Sequence, residues 1–192
     1  MSGFELLIVV VFFLIGFWVV DYFWPKKKPA APADERVTVR VSRRVEAPCE
    51  RVFDAWLDPR SAGNWLFATP AGEMVRVDID PRVGGQFHFT DRRAGEDVEH
   101  TGEYLEIDRP KRLVFNFRVP KFSNEATRIQ VDFAPAASTP EATLLTLVHE
   151  DVGAEFAART EEGWKGILDG LAQALGGAAL ALGGTAGSFP KR

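Results

Sequence analysis

Residues 163–175 read Gly163-Trp164-Lys165-Gly166-Ile167-Leu168-Asp169-Gly170-Leu171-Ala172-Gln173-Ala174-Leu175, and this stretch decides the fold. Trp164, Ile167, Leu168, Leu171 and Leu175 fall at 0, +3, +4, +7 and +11, which places them on one face of an α-helix. The stripe predicts a long helix over 154–175, closed by Gly176-Gly177 because glycine adopts the left-handed C-cap conformation without penalty. A helix with one apolar face must bury it against a second layer. What precedes it in the chain is almost all strand.

Residues 74–80, 86–91, 99–108, 112–119, 127–135 and 143–151 carry strand composition, with turn signals such as Arg93-Ala94-Gly95 and Arg109-Pro110-Lys111 between them. Strand side chains alternate between faces, so Phe87 with Phe89 share a side, as do Leu113, Phe115 and Phe117. Ile129, Val131 and Phe133 form a third set, and Leu145 and Leu147 a fourth. Upstream, Val37, Val39, Val41 and Val45 alternate with polar residues through 36–45, a further half-buried strand. Pro48 then opens a short helix whose apolar face is Val52, Phe53, Trp56 and Leu57, and Asp58-Pro59 starts a second helical turn. The fold class is therefore α+β: a curved antiparallel sheet of about six or seven strands around one long C-terminal helix.

The 192 residues suffice for one domain with short attachments. A net charge of −4 excludes the basic footprint of a nucleic-acid binder, and a single cysteine excludes an internal disulfide or a thiolate-rich zinc site. The N-terminal stretch FELLIVVVFFLIGFWVVDYFW, starting at Phe4 and ending at Trp24, predicts a membrane-spanning helix about 31 Å long. Lys26, Lys27 and Lys28 follow it, and the positive-inside rule then expects a single-pass protein of the cell (inner) membrane with its domain in the cytoplasm. Residues 25–35 read as a Lys/Pro/Ala linker, 36–175 as the domain, and 176–192 as a poorly ordered Gly-rich tail.

Four stretches carry a family resemblance. They are Val45-Glu46-Ala47-Pro48 with Arg51-Val52-Phe53-Asp54-Ala55-Trp56, and Asp80-Pro81-Arg82-Val83-Gly84-Gly85-Gln86-Phe87. Gly102-Glu103-Tyr104 leading to Arg112-Leu113-Val114 is the third, and Gly163-Trp164 with Ile167-Leu168 and Leu171 the last. In order and spacing the region from Val37 to Leu175 resembles the activator of heat shock protein 90 ATPase homologue family, within the START-like (SRPBCC) superfamily. The resemblance implies a helix-grip fold with a hydrophobic pocket between sheet and helix. Superfamily members bind lipids, sterols, polyketides or other apolar molecules; some are cyclases or hydrolases, and others contact a chaperone. No universal catalytic residue comes with it.

A cavity between sheet and helix would be lined by aromatic side chains. The candidate ligand-binding residues are Trp65, Phe67, Phe87, Phe89, Tyr104, Phe115, Phe117, His149, Trp164 and Leu168. His149 shares parity with Leu145 and Leu147 and is the histidine expected to reach the interior, whereas His88 points away from Phe89. His88, His100 and His149 lie on different strands without metal-ligand spacing, so neither metal nor cofactor is expected. Cys49 lacks an evident base, and Glu103 is a single carboxylate that could face inward or outward, so no catalytic residue is assigned. Three functions stay open: a membrane-anchored module that binds an apolar molecule or lipid between sheet and helix, a chaperone-associated interaction domain, and a cyclase- or hydrolase-like enzyme using Glu103, His149 or Tyr104.

Overall fold

A computed structural model describes residues 35–137 and 139–183. Strand β1 (Arg36–Val45) leads to helix α1 (Cys49–Leu57) and the single turn α2 (Pro59–Ala62). Six strands follow: β2 (Glu73–Ile79), β3 (Gln86–Arg93), β4 (Glu96–Asp108), β5 (Arg112–Phe117), β6 (Thr127–Ala136) and β7 (Thr139–Gly153). A 3₁₀ turn (Ala154–Phe156) enters the last helix, α3 (Ala157–Gly183).

The strands form one curved seven-stranded sheet in the order β1-β7-β6-β5-β4-β3-β2, with every neighbouring pair antiparallel. Hairpins connect β2 through β7 in sequence; only β1 crosses over, to pair with β7. The alternation along each strand puts Phe87 and Phe89, Tyr104, Leu113 and Phe115, Ile129 and Val131, and Leu145 and Leu147 in the core. Helix α3 lays Trp164, Leu168, Leu171 and Leu175 onto that inner face, all buried as the periodicity requires. Helix α1 adds Val52, Phe53 and Trp56, with Phe53 and Phe133 edge-to-face at 5.1 Å.

Polar ties fix the short helices. Asp58 accepts a hydrogen bond from the Arg60 N–H at 3.1 Å and caps α2, whose first residue is Pro59. Arg109, in the β4–β5 turn, grips Asp54 of α1 through two hydrogen bonds of 2.7 and 2.8 Å. Gly84 has φ 78, a conformation that suits glycine, and its N–H donates to the Tyr104 carbonyl at 2.8 Å, aligning the β2–β3 turn with β4.

Two expectations need correction. Helix α3 does not stop at Gly176-Gly177 but continues to Gly183, because two glycines weaken a helix without obliging it to end. The single-pass membrane location, with its cytoplasmic assignment, is also corrected: among the described residues no helix is long and apolar enough to cross a membrane. The span read over 4–24, residues 25–34 of the linker and residues 184–192 of the tail lie outside the described residues.

Candidate functional site

Nine of the ten aromatic and aliphatic candidates are buried: Trp65, Phe67, Phe87, Phe89, Tyr104, Phe115, His149, Trp164 and Leu168. Phe117, near the end of β5, is partly buried and packs against the same core. Most of the aromatic candidates meet one another. Phe67 lies among Phe87, Phe89, His100, Phe117 and Trp164, with ring centroids between 4.5 and 6.5 Å from its own. Phe87 in turn contacts Tyr104 at 5.5 Å and Phe115 at 5.4 Å.

The expected open pocket is filled by these rings. The space left, lined by Trp56, Leu66, Phe67, Phe87, Tyr104, Leu113 and Phe115, is about 10 Å³, no more than one water requires. Trp56, Leu66 and Leu113 were not among the sequence candidates. Trp56 has the clearest signal for inclusion, since the α1 periodicity already turned it toward the sheet.

One end of this interior is tied by a polar relay. The Trp164 indole N–H donates to His149 Nδ1 at 3.0 Å, so that nitrogen carries no proton. The proton of the neutral imidazole therefore sits on Nε2, which donates to Thr127 Oγ1 at 2.7 Å. The Thr127 hydroxyl in turn donates to the Phe117 carbonyl at 3.1 Å. Both ring nitrogens are thus occupied, and burial pushes the His149 pKa down to about 4. The imidazole clamps α3 to the sheet and has no nitrogen left over for proton transfer.

Beside this relay, across Phe67 and Phe117, lies a cluster that was not among the sequence candidates. Asp91 is fully buried on the inner face of β3; its Oδ2 accepts from Thr69 Oγ1 at 2.7 Å and from Arg93 Nε at 2.6 Å. Arg93 also reaches the Phe67 carbonyl at 3.4 Å, so these two residues tether the connection that carries Phe67. A Cβ on Gly72 would stand 2.3 Å from both Asp91 Oδ1 and Thr69 Oγ1, so the close approach requires glycine. His100, on β4, is buried beneath Phe67, and its pKa falls to about 4 chiefly through burial, with Arg93 adding to the effect. The signal was available: Asp91 continues the Phe87, Phe89 parity, and His100 shares that of Tyr104.

Several inner polar atoms are buried without a partner among the described residues: Trp56 Nε1, Trp65 Nε1, Asp91 Oδ1 and His100 Nδ1. Such atoms are few in folded proteins because each costs about 1–3 kcal/mol. Phe67 adds backbone strain. Its φ is 61, a left-handed conformation that costs a non-glycine residue roughly 1–2 kcal/mol.

The remaining candidates do not converge. Glu103 has the parity opposite to buried Tyr104, so it is turned away from the core, and its N–H is held by the Asn116 side chain at 2.9 Å. His88 also sits on that outer side, 3.6 Å from Glu99. Cys49 is buried and accepts from Thr143 Oγ1 at 3.5 Å. Burial raises the Tyr104 phenol above its usual range, which keeps it protonated.

The model of one family, described as Activator of Hsp90 ATPase homolog 1-like protein, matches residues 46–176. No curated protein matches the chain. Among solved structures, protein CV1439 from Chromobacterium violaceum is 26% identical, with a TM-score of 0.64 over 72% of this chain and 96% of its own. The AHSA1-like protein from Aeromonas hydrophila is 22% identical with a TM-score of 0.63, over 81% of this chain and 100% of its own. CalU16 from Micromonospora echinospora is 22% identical with a TM-score of 0.55, over 80% and 85% of the two chains. The latter two likenesses establish the helix-grip fold alone.

Proposed function

The chain belongs to the Activator of Hsp90 ATPase homolog 1-like protein family, and from that premise we propose that it binds an apolar small molecule or lipid between its sheet and α3. The observation that carries this reading is the makeup of the interior. An enclosure of stacked aromatic rings with a few unpartnered polar atoms, Trp56 Nε1, Trp65 Nε1, Asp91 Oδ1 and His100 Nδ1, has the chemistry of an apolar-ligand site. A ligand with one or two polar groups would satisfy atoms that the protein leaves unpaired. Because only about 10 Å³ stands open among these rings, a ligand that enters them must displace side chains.

Titration of the full chain with N-phenyl-1-naphthylamine, an uncharged apolar probe, tests this by NMR. The indole N–H signals of Trp56, Trp65 and Trp164 should shift together and saturably. Shifts confined to surface amides, or none, would contradict interior binding.

The filled interior also favours a second reading, in which the domain acts through its surface on a protein partner such as a chaperone. A packed core needs no ligand, and Phe122 and Phe156 stand exposed at 64% and 56%. On this reading, replacing Phe122 and Phe156 by serine weakens binding of the partner. Catalysis has no such support, since His149 is fully engaged and Glu103 faces away from the core.

A further inference from the structure

The ring of Phe67 lies flat on two others. It is 4.5 Å from His100 at an interplanar angle of 8°, and 5.2 Å from Phe117 at 15°. His100 and Phe117 are themselves within 23° of parallel, 6.2 Å apart, so together they make a level floor. Phe89 and Trp164 meet Phe67 at 75° and 62°, standing as walls around its edge. The shape of this seat is that of a flat ring, and a puckered ring of equal carbon count would not lie within the same thickness.

The occupant of the seat is held under strain. Phe67 has φ 61, and residues 63–72 around it form neither helix nor strand. Beyond the turn hydrogen bonds of this segment itself, it is held to β3 by Thr69 on Asp91 and by the 3.4 Å contact of Arg93 with the Phe67 carbonyl. Withdrawing the ring would break few hydrogen bonds, and an incoming ring that stacks in its place restores the contacts the phenyl group gives up.

Resting on the interior-binding reading above, we infer that Phe67 is a built-in occupant of the ligand seat, and that the molecule which replaces it is an uncharged, flat, conjugated ring system. Such a ring stacks on His100 and Phe117 in place of the phenyl group. Saturated chains and puckered polycycles are disfavoured because they forfeit the stacking on the floor.

The test compares 2-naphthol with trans-decahydro-2-naphthol, which shares its carbon skeleton and hydroxyl group but is not flat. Calorimetry is run on the full chain and on Phe67→Gly, which empties the seat and suits φ 61. The inference expects 2-naphthol to bind Phe67→Gly at least tenfold more tightly than the unaltered chain, and at least tenfold more tightly than the saturated analogue binds the same variant. Equal binding of both probes would overturn the flat seat while leaving interior binding intact. Binding of neither probe to either protein would overturn both.

Should Phe67→Gly fail to fold, NMR on the unaltered chain decides. Saturating 2-naphthol should abolish the Phe67–His100 ring contacts and create contacts between naphthol protons and the His100 ring. Persistence of the Phe67–His100 contacts at saturation would overturn the proposal.

Discussion

The indole nitrogen of Trp164 and Nδ1 of His149 stand 3.0 Å apart, and this hydrogen bond joins the last helix to β7, the strand beside the β1 edge of the sheet. It also fixes the imidazole as a neutral tautomer, since an indole can only donate. Removing the donor leaves a buried nitrogen unpaired. Trp164→Phe should therefore cost about 1–3 kcal/mol from the orphaned nitrogen, with some added loss of packing. Urea denaturation at pH 7.5 reads the difference; a midpoint unchanged from the parent chain would show that the bond contributes nothing.

Buried neutral histidines make stability fall on the acid side. His149 and His100 ordinarily titrate near 6.5, and in the folded chain each is pushed down to about 4 by burial. Between those values the unfolded chain binds more protons than the folded one. Stability is thus complete above about pH 6.5 and is lost as pH falls toward 4. At pH 4.5 the loss is roughly 2 kcal/mol per histidine. His149→Gln, which has no proton to take up at that position, should show about half the pH dependence of the parent in denaturation measured at pH 7.5 and 4.5.

The turn at Gly84 constrains what can replace it. Its φ of 78 disfavours any β-branched side chain, although no atom stands within 4 Å of a Cβ placed there. Conformation and not collision sets the cost. Gly84→Val should destabilise by about 1–2 kcal/mol, whereas Gly84→Asn should cost less because asparagine tolerates left-handed backbone. Equal melting temperatures for the two variants would contradict the conformational argument.

Thr69 and Asp91 hold the connection that carries Phe67. Thr69→Val keeps the shape and removes the donor, which should cost about 1–2 kcal/mol. The loss should be local as well as global: amide hydrogen exchange of residues 66–72 should accelerate more than that of β5 or β6. Uniform acceleration along the chain would mean that the hydrogen bond supports the domain at large and not this segment.

The fold was legible because two periodicities reinforced each other. The Trp164 to Leu175 stripe demanded a helix, and the Phe87/Phe89 and Leu113/Phe115/Phe117 alternations demanded a sheet with one apolar face for it to lie on. Parity also placed His149 inside and His88 outside. It could not say whether the inward rings would enclose space or fill it, since that depends on how their volumes interlock across strands. Phe67 marks the limit most sharply. It lies in a connection with no period, and its left-handed backbone, which turns the ring onto His100, leaves no trace in composition. The end of α3 was misjudged for a related reason: glycine is a common stop signal, but a helix passes through it when nothing else in the chain turns.

On the proposed reading, the interior takes an apolar molecule. Native mass spectrometry of the full chain, before and after incubation with a mixture of neutral lipids and uncharged aromatic compounds, tests it most directly. One added mass per chain is expected, released by organic solvent and reduced in a variant that blocks the seat, Phe67→Trp. A bare chain that takes up nothing from the mixture would contradict it and turn attention to the surface around Phe122 and Phe156.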